Sequence, residues 1–217
     1  KPPLEESPMA PAEEIPYIVV SRLPVYLRTL EHMAAEGKEI TSSRELAERL
    51  GTTSASIRKD LSYFGEFGKQ GTGYEVEFLR QQLRRILKVD REWPIALVGA
   101  GDLGHALAHY AGFAPAGFRI AAVFDNDPAK IGQTMAALEI LDSARLRETV
   151  AQRRLKVAIV AVPASEAQEV TNQLVAGGVE AILNYAPITL TVPEGVVVQY
   201  VDPVVHLQRM TYYISEE

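Results

Sequence analysis

The sequence of 217 residues has no cysteine, a single tryptophan and no apolar run near the ~20 residues that a membrane-spanning helix requires. The lack of cysteine excludes disulfides, Cys-based metal sites and thiol redox chemistry, so any redox function must depend on a bound cofactor. The lack of long apolar runs argues against a membrane partner. The first residues also lack the charged, apolar and small-residue segments of a signal peptide, so we expect a cytoplasmic protein.

Positive charge is also scarce, since 22 Lys and Arg face 28 Asp and Glu and the net charge is −6. This balance argues against a surface that binds nucleic acid throughout. The charges are unevenly distributed, however: residues 21–90 hold 12 basic and 10 acidic side chains, whereas residues 91–217 hold 9 and 14. A mildly basic front half and an acidic rear half indicate two parts with different tasks.

Hydrophobic residues make up 47% of the chain, which is enough for a core, and the pattern along the chain predicts four parts. Residues 1–16 are rich in Pro and Glu and poor in large apolar side chains, which predicts a disordered arm. We then expect a winged-helix domain over 17–90, a Rossmann-like domain with a parallel sheet over 91–201, and a C-terminal helix over 202–217. The predicted fold class is therefore α/β with two domains.

The front half begins with a predicted helix over 22–36, in which leucines recur at helical spacing. Ser21 is the expected N-cap, and Pro24 suits the first turn, where its missing N–H costs little. A second helix is predicted from the spacing of Ser42 and Glu45, which is that of a capping box. The glycine of the segment RLG supplies the stop of this helix.

A third helix is predicted over 54–64, a short turn after the second, and the two together form a helix-turn-helix. Arg58, Lys59 and Ser62 would lie on its outer face, where a helix that enters a major groove needs hydrogen-bond donors. The alternative is that this basic pair is simply a solvated face. The inward face would consist of Ala55, Ile57, Leu61 and Phe64.

The stretch 65–74 predicts a β-hairpin, with Gly71 and Gly73 at its tip and Lys69 nearby. A hairpin directly after the third helix is the wing of a winged helix, and Lys69 could reach a phosphate or the minor groove. A fourth helix over 77–88 has a face of four cations, an arrangement more typical of a solvated surface than of DNA contact.

The rear half opens with the strand PIALV, followed by G-x-G-x-x-G at Gly99, Gly101 and Gly104. In a dinucleotide-binding fold the first glycine permits a tight turn, the second lets a pyrophosphate approach the helix N-terminus, and the third lets the helix pack on the strand. Asp125 ends the next strand, 21 residues after Gly104, where an acidic side chain binds the adenosine ribose hydroxyls. Because Asp125 would repel a 2′-phosphate and no arginine follows in DNDPAK, the pattern favours NAD(H) over NADP(H).

Helices and buried strands alternate from there to residue 201 and predict a parallel sheet of βαβ units. Ligands of such sheets lie beyond the carboxyl ends of the strands. The sequence therefore predicts that two strand ends flank the cofactor, the alternative being ordinary loop chemistry. These strand ends are Val162 and Pro163, and Asn184, Tyr185 and Ala186.

The tail predicts an apolar helix, with Asp202 as its N-cap and Pro203 in the first helical position. Such a helix could pack on its own sheet or on a second subunit. The pattern does not separate these two arrangements.

Six segments together resemble the redox-sensing transcriptional repressor Rex family: SRLPVYLRTLE, TSSRELAERLG, IRKDLSYFGEFGKQGTGYEV, VGAGDLG, FDNDPAKIG and ILNYAP. The resemblance extends over roughly residues 17–214. It implies a homodimer that holds two winged helices on a pseudo-palindromic operator in double-stranded DNA and swaps its C-terminal helices between subunits. It also implies that NAD⁺ permits DNA binding and that NADH releases the repressor from operators near genes of anaerobic or respiratory metabolism, with no substrate and no catalysis.

The resemblance assigns residues to three sites. Those at the DNA would be Ser54, Ser56, Arg58, Lys59, Ser62, Tyr63, Lys69, Gly71 and Gly73. Those around the cofactor would be Gly99, Ala100, Gly101, Asp102, Leu103, Gly104, Asp125, Lys130, Ile131, Val162, Pro163, Asn184, Tyr185 and Ala186. Those that switch between the domains would be Arg28, Tyr110 and Asp202. We hypothesise that these three side chains exchange partners when the domains rotate. The alternative is that Arg28 is a solvated arginine, Tyr110 a core aromatic and Asp202 an N-cap. Pro203 departs from the bulky apolar residue that the family's pattern has there.

Two other functions stay open at this point. An NAD-dependent dehydrogenase would need a positioned acid or base, and His105 and His109, one helical turn apart, could suggest one. Two histidines without a third ligand give poor support for a metal, so no metal site is predicted, and no further domain is large enough to hold a substrate. A CoA- or nucleotide-binding regulatory domain without redox sensing is the third possibility.

Overall fold

The computed structural model describes residues 15–68 and 73–214, and it divides between Asp90 and Arg91 into two compact units. The N-terminal unit lies before this boundary and the C-terminal unit after it. The predicted arm over 1–16 falls, except for its last two residues, outside the described part of the chain.

The described part of the N-terminal unit contains four helices and two short strands. Its elements are α1 Tyr17–Ala35, β1 Ile40–Thr41, α2 Ser43–Leu50, α3 Ser54–Ser62, β2 Tyr74–Glu75 and α4 Val76–Ile86. α1 packs against α4, and α2 packs against α3 across a short turn. The helix-turn-helix predicted from the sequence is therefore confirmed.

The start of α1 was predicted wrongly. The helix begins at Tyr17, so Ser21 lies inside it, where its hydroxyl donates to the Ile18 carbonyl at 2.9 Å. Pro24 is then in the helix interior, where it removes one backbone hydrogen bond. Burial of Val19 in the core favours the longer helix, because tertiary packing decides helix ends more strongly than local propensity does.

The capping box at the start of α2 is half formed. The Ser42 hydroxyl accepts the Glu45 N–H at 3.1 Å, as predicted. The Glu45 carboxylate turns away from the cap and accepts hydrogen bonds from the Lys38 ammonium and the Thr41 hydroxyl. Gly51 ends the helix in the left-handed region, with a φ of 63°.

The predicted hairpin pairs differently in its described part. β2 pairs antiparallel with β1, which precedes α2, whereas residues 65–68 form no strand. Gly73 lies against β1, where a Cβ would collide with the Thr41 carbonyl. Lys69 and Gly71 lie outside the described residues. The local pattern could not reveal a partner strand more than thirty residues earlier.

The described part of the C-terminal unit contains seven strands and four helices. Its elements are β3 Trp93–Val98, α5 Asp102–Ala108, β4 Phe118–Asp125, β5 Thr134–Met135, β6 Leu138–Asp142, a 3₁₀ turn Ser143–Arg145, α6 Leu146–Arg153, β7 Val157–Val160, α7 Ala164–Ala176, β8 Ala181–Asn184, β9 Val197–Tyr200 and α8 Pro203–Thr211. The strand order is β5-β6-β4-β3-β7-β8-β9, and β5 is antiparallel to its neighbour while the other six strands are parallel. These six have the Rossmann order, which confirms the predicted fold class.

Apolar layers cover both faces of this sheet. Alternate residues of a strand point to opposite faces, so Ala96 and Val98 join the layer beneath α6 and α7. Ile95 and Leu97 join the layer on the other side, with residues of β4 and β6. Burial on both faces explains why β3 reads as a continuous apolar run.

The hairpin of β5 and β6 was not predicted. Its two connecting residues, Ala136 and Ala137, have φ values of 47° and 64°. Positive φ at both positions is what a type I′ turn requires, and Asn-Gly is its usual sequence signal. Two alanines carry no such signal, so the sequence pattern gave no reason to place a turn there.

The last helix, α8, has the start predicted for it. The Asp202 carboxylate accepts the Val204 N–H at 2.9 Å, and Pro203 occupies the first helical position. No residue of α8 is buried; Leu207 and Met210 are 59% and 63% exposed. Burial of this helix on its own sheet, one of the two predicted arrangements, is therefore not observed in the described part of the chain.

Candidate nucleotide site and nucleic-acid interface

The loop between β3 and α5 has the geometry predicted for its three glycines. A Cβ on Gly99, whose φ is 103°, would collide with the Ala161 carbonyl, and a Cβ on Gly104 would collide with the Gly99 carbonyl. The third glycine therefore lets α5 lie close to the strand end. A Cβ on Gly101 would meet no atom within 4 Å. The space beside Gly101 is thus open to a ligand.

Asp125 ends β4 and ties the glycine loop to the next segment. Its Oδ2 accepts the Ala100 N–H at 2.7 Å and Lys130 Nζ at 3.2 Å, and its Oδ1 accepts the Asp127 N–H at 2.9 Å. Burial, the largest influence, raises the pKa of Asp125, but these donors together outweigh it and hold the pKa below its ordinary value. The sequence predicted Asp125 as a ribose ligand and did not reveal its bond to Ala100.

A cavity of about 350 Å³ lies beyond the carboxyl ends of β3, β4 and β7, where the strand order reverses. Its volume is at the small end of the range for ligand pockets. Of the predicted cofactor residues, it brings together Gly99, Gly101, Asp125, Lys130, Val162 and Pro163. The residues that the sequence analysis missed are Val98, Asn126, Asp127, Ser143, Ala161, Glu166 and Val170. The segment DNDPAK signalled Asn126 and Asp127, whereas nothing in the sequence signalled Glu166.

The other predicted cofactor residues do not line this cavity, and their contact with a cofactor stays a prediction. Asn184 is fully buried, and its amide bonds the backbone of Ala186 and the Ile188 carbonyl at 2.9 to 3.1 Å. Asn184 therefore shapes the turn after β8. Burial, with a smaller contribution from Tyr110, raises the pKa of Tyr185. The remaining members of this group are Ala100, Asp102, Leu103, Gly104 and Ile131.

The outer face of α3 is exposed and basic. Arg58 and Lys59 reach solvent, and Arg58 Nη1 donates to Ser43 Oγ at 3.0 Å, which holds the guanidinium beside the start of α2. Ile57 and Leu61 are buried as predicted, but Ala55 is exposed, so that prediction was wrong.

A groove of about 940 Å³ runs along this face. Of the predicted DNA residues, Arg58, Ser62 and Gly73 line it. The described others lie outside the groove: Ser54, Ser56, Lys59 and Tyr63.

A buried carboxylate that the sequence analysis missed fixes α3 to α1. Asp60 is 1% exposed, and it accepts hydrogen bonds from Arg22 Nη2 at 2.7 Å and from the Tyr26 hydroxyl at 2.6 Å. Burial and then the bond to Asp60 raise the pKa of Tyr26, so its hydroxyl stays a donor. The available signal was position, because Asp60 falls between Ile57 and Leu61 on the apolar face.

The three predicted switch residues are found on both units. Arg28 is exposed on α1, Tyr110 is 59% exposed beside Phe113, and Asp202 caps α8. The core-aromatic alternative for Tyr110 is therefore wrong, whereas the N-cap alternative for Asp202 describes a bond that is present.

His105 and His109 stack on each other on the exposed side of α5, with ring centroids 4.4 Å apart. His109 Nδ1 is 2.8 Å from the His105 carbonyl of the same helix. Among the described residues, no group of three or more His, Asp or Glu side chains is arranged to hold a metal ion.

The helices between residues 15 and 214 include none that combines the length and the apolar character of a membrane span, within the described ranges.

Comparisons with known proteins identify both units. Family models described as “Putative DNA-binding protein N-terminus” and “CoA binding domain” match residues 14–62 and 90–188. The redox-sensing transcriptional repressors Rex of Chloroflexus aurantiacus and Chloroflexus aggregans are 54% and 53% identical to this chain. These matches cover 93% and 96% of this chain and 95% and 99% of the relatives.

Solved structures agree with these relatives. A crystal structure of RSP in complex with NAD⁺ and operator DNA matches with a TM-score of 0.88 and 36% identity, over 92% of each chain. RSP in complex with NADH matches with a TM-score of 0.83 and 34% identity, over 91% of this chain and 93% of that one. RSP is described as a Rex-family repressor.

A helix-turn-helix unit joined to a Rossmann unit with a nucleotide-sized cavity defines a DNA-binding regulator that responds to a ligand. Relatives of this identity, covering nearly the whole chain, define the particular regulator. The chain belongs to the Rex family of redox-sensing transcriptional repressors.

Proposed function

We propose that this chain represses transcription by binding operator DNA as a homodimer, and that reduction of its bound NAD releases it. The observation that carries the proposal is that one chain combines the exposed basic helix α3 with a cavity built around Asp125. The RSP structures hold NAD⁺, NADH and operator DNA, which supports the same ligands here. Such a repressor acts on DNA in the cytoplasm and turns over no substrate.

The residues of the cavity fit an adenine dinucleotide. Gly101 leaves room for a pyrophosphate, and the buried carboxylate of Asp125 is where ribose hydroxyls are bound in this fold. Asp127 and Glu166 add two further acidic side chains to the wall, against the single cation Lys130 among the described lining residues. This charge favours free ribose hydroxyls over phosphorylated ones.

CoA is the second candidate, because the family model that matches the C-terminal unit is named for it. CoA carries a phosphate on its adenosine ribose, and that dianion would lie beside Asp125 and Asp127. Like charges at such a distance disfavour binding. NAD(H), whose adenosine ribose carries no phosphate, suits the site better.

At the DNA, α3 supplies the contacts that a major groove requires. Arg58 can donate two parallel hydrogen bonds to a guanine edge, and Lys59 can bind a phosphate. Two copies related by two-fold symmetry would read a pseudo-palindrome. We propose that the exposed apolar face of α8, exchanged between subunits, holds the two copies together.

The switch requires that NAD⁺ and NADH bind two conformations of the dimer unequally. When bound, the cofactor supplies a nicotinamide that is cationic and planar in one state and neutral and puckered in the other. Arg28, Tyr110 and Asp202 can respond to that difference as charged or hydrogen-bonding groups. A coupling of about 1–3 kcal/mol would change DNA affinity by several-fold to about 100-fold.

A gel shift tests this function. Operator DNA is first selected from a random pool with the full-length protein, and the complex is then titrated with NADH, NAD⁺ or CoA. We expect NADH to release the DNA at concentrations at which NAD⁺ and CoA do not. Equal effects of NADH and NAD⁺ would contradict redox sensing, and release by CoA alone would favour the second candidate.

Substitutions of single basic residues test which helix binds the DNA. Arg58→Ala and Lys59→Ala should weaken operator binding, and each should lower the slope of binding against salt. Arg85→Ala on the exposed face of α4 is the matched control and should leave the affinity unchanged. If Arg85→Ala weakened operator binding as much as Arg58→Ala, α3 would not be the recognition helix.

A further inference from the structure

Two polar side chains that line the nucleotide cavity are hydrogen-bonded to each other. Asn126 Nδ2 donates to Glu166 Oε2 at 3.0 Å, although the two residues are 40 positions apart. Asn126 follows β4, and Glu166 is in the first turn of α7. Within the described residues, Glu166 Oε1 accepts no hydrogen bond, so the carboxylate keeps an unused acceptor.

The position of this pair is that of the adenine base, an assignment that rests on the proposed function. Asp125 binds the adenosine ribose in this fold, and the base is bonded directly to that ribose. The base therefore lies next to Asp125, and the residue that follows Asp125 in the cavity lining is Asn126. The same cavity is also lined by three apolar side chains: Val162, Pro163 and Val170.

A purine bound here meets apolar walls at its faces and polar groups at its edge. Adenine presents an exocyclic amino donor next to ring-nitrogen acceptors. The Glu166 carboxylate can only accept hydrogen bonds, and the Asn126 amide can donate them. The pair can therefore exchange its mutual hydrogen bond for one from the amino group to Glu166 and one from Asn126 to N1, the ring nitrogen that accepts in adenine and carries a proton in hypoxanthine.

We propose that Asn126 and Glu166 make the site specific for adenine by reading the amino-bearing edge of the base. Hypoxanthine carries a carbonyl oxygen in place of the amino group. That oxygen would face the Glu166 carboxylate, and two acceptors would then be opposed without a proton between them. A site that hydrogen-bonds one group discriminates strongly against an analogue that lacks it.

The test compares NADH with reduced nicotinamide hypoxanthine dinucleotide, by calorimetric titration of the full chain. We expect NADH to bind about tenfold more tightly than the hypoxanthine analogue, the discrimination of one good base-edge contact. Glu166→Gln provides an amide that can donate to the hypoxanthine carbonyl. The ratio of the affinities for NADH and for the hypoxanthine analogue should therefore fall below about threefold. Glu169→Gln, an exposed substitution on the same helix whose carboxylate pairs with Gln173, should keep the ratio of the natural sequence.

The outcomes separate this proposal from the proposed function. Equal affinity for the two dinucleotides, or an unchanged ratio in Glu166→Gln, overturns adenine reading while leaving NADH sensing in place. Absence of NADH binding in the natural sequence overturns both. Asn126→Ala serves as the second variant if Glu166→Gln does not fold, and it should also narrow the ratio, because it removes the donor to the ring nitrogen.

Discussion

At the scale of single residues, two buried carboxylates have roles that link segments distant in the chain. Asp125 joins the glycine loop through Ala100 and the following turn through Asp127. Asp60 joins α3 to α1 through Arg22 and Tyr26. A buried carboxylate is stable only when donors surround it, so both positions are more sensitive to substitution than exposed acids.

Asp125→Asn should lower the unfolding free energy of the C-terminal unit by about 1–3 kcal/mol, because an amide nitrogen would face a backbone donor. Since the pKa of Asp125 is depressed in the folded state, its contribution is present above the ordinary value of 3.8 and is lost as the pH falls below it. Trp93, the single tryptophan, lies in β3 and reports urea unfolding of this unit. The difference between the variant and the natural sequence should therefore be fully present at pH 7 and should shrink as the pH is lowered below 3.8.

The control for this measurement is Asp127→Asn. Its Oδ1 accepts the Ala129 N–H at 2.9 Å in a local turn that asparagine also forms. Its unfolding free energy should stay within about 0.5 kcal/mol of the natural value. If Asp127→Asn lowered the unfolding free energy as much as Asp125→Asn, the hydrogen bond from Ala100 would not account for the effect of Asp125→Asn.

At the scale of elements, α3 owes its position to its attachment to α1 rather than to the turn before it. α3 is only nine residues long, and helices of that length are marginal without packing. Ile57 and Leu61 supply the apolar contacts, and Asp60 supplies direction through two short hydrogen bonds. Loosening of this attachment would move Arg58 without changing any residue on the exposed face of α3.

Tyr26→Phe removes one donor to Asp60 and should destabilise the attachment of α3 by about 1.5–3 kcal/mol, the range for hydrogen bonds to charged groups. Hydrogen exchange of peptides from α1 and α3 measures this, and exchange should be faster in both. Thr29→Ala, which removes a hydroxyl that bonds only the Val25 carbonyl of its own helix, is the control. Unchanged protection of α3 in Tyr26→Phe would contradict a role of the hydroxyl in holding it.

The turn between β5 and β6 provides a stabilising substitution. Ala137 has a φ of 64°, which costs an L-residue about 1 kcal/mol and glycine almost nothing. Ala137→Gly should therefore raise the unfolding free energy by about 0.5–1 kcal/mol. The measurement is urea unfolding followed by Trp93 fluorescence, whose midpoint should move to a higher urea concentration. Ala129→Gly, where φ is not positive, should lower it. If both substitutions changed the unfolding free energy in the same direction, Ala137 would not adopt the left-handed conformation.

At the scale of the whole molecule, the sequence predicted the two units, the order of the helices and the parallel sheet. These follow from periodicity and from local signals such as Ser42 and the three glycines, which act within one turn of the chain. What it missed depends on distant partners: the pairing of β2 with β1, the hydrogen bonds from Arg22 and Tyr26 of α1 to Asp60, and the placement of Glu166 opposite Asn126. No local pattern encodes such contacts.

The exposed α8 leads to a prediction about assembly. Eighteen large hydrophobic side chains are exposed on the described residues, and seven of them lie between Val204 and Ile214. Such patches mark interfaces, so we expect a dimer of twice 23.8 kDa in light scattering. Leu207→Asp should yield monomers, whereas Gln208→Asp on the same exposed helix should not. A monomeric natural protein would contradict the proposed assembly.

The bond between Ala100 and Asp125 also bears on how fast such a sensor can respond. Asp125 fastens two walls of the pocket together through hydrogen bonds within the chain itself, which limits the backbone rearrangement that nucleotide binding requires. The nucleotide can then bind at a rate close to that of diffusional encounter, because no slow conformational change has to precede binding. Occupancy of the site would then follow a change in the ratio of NADH to NAD⁺ with little delay.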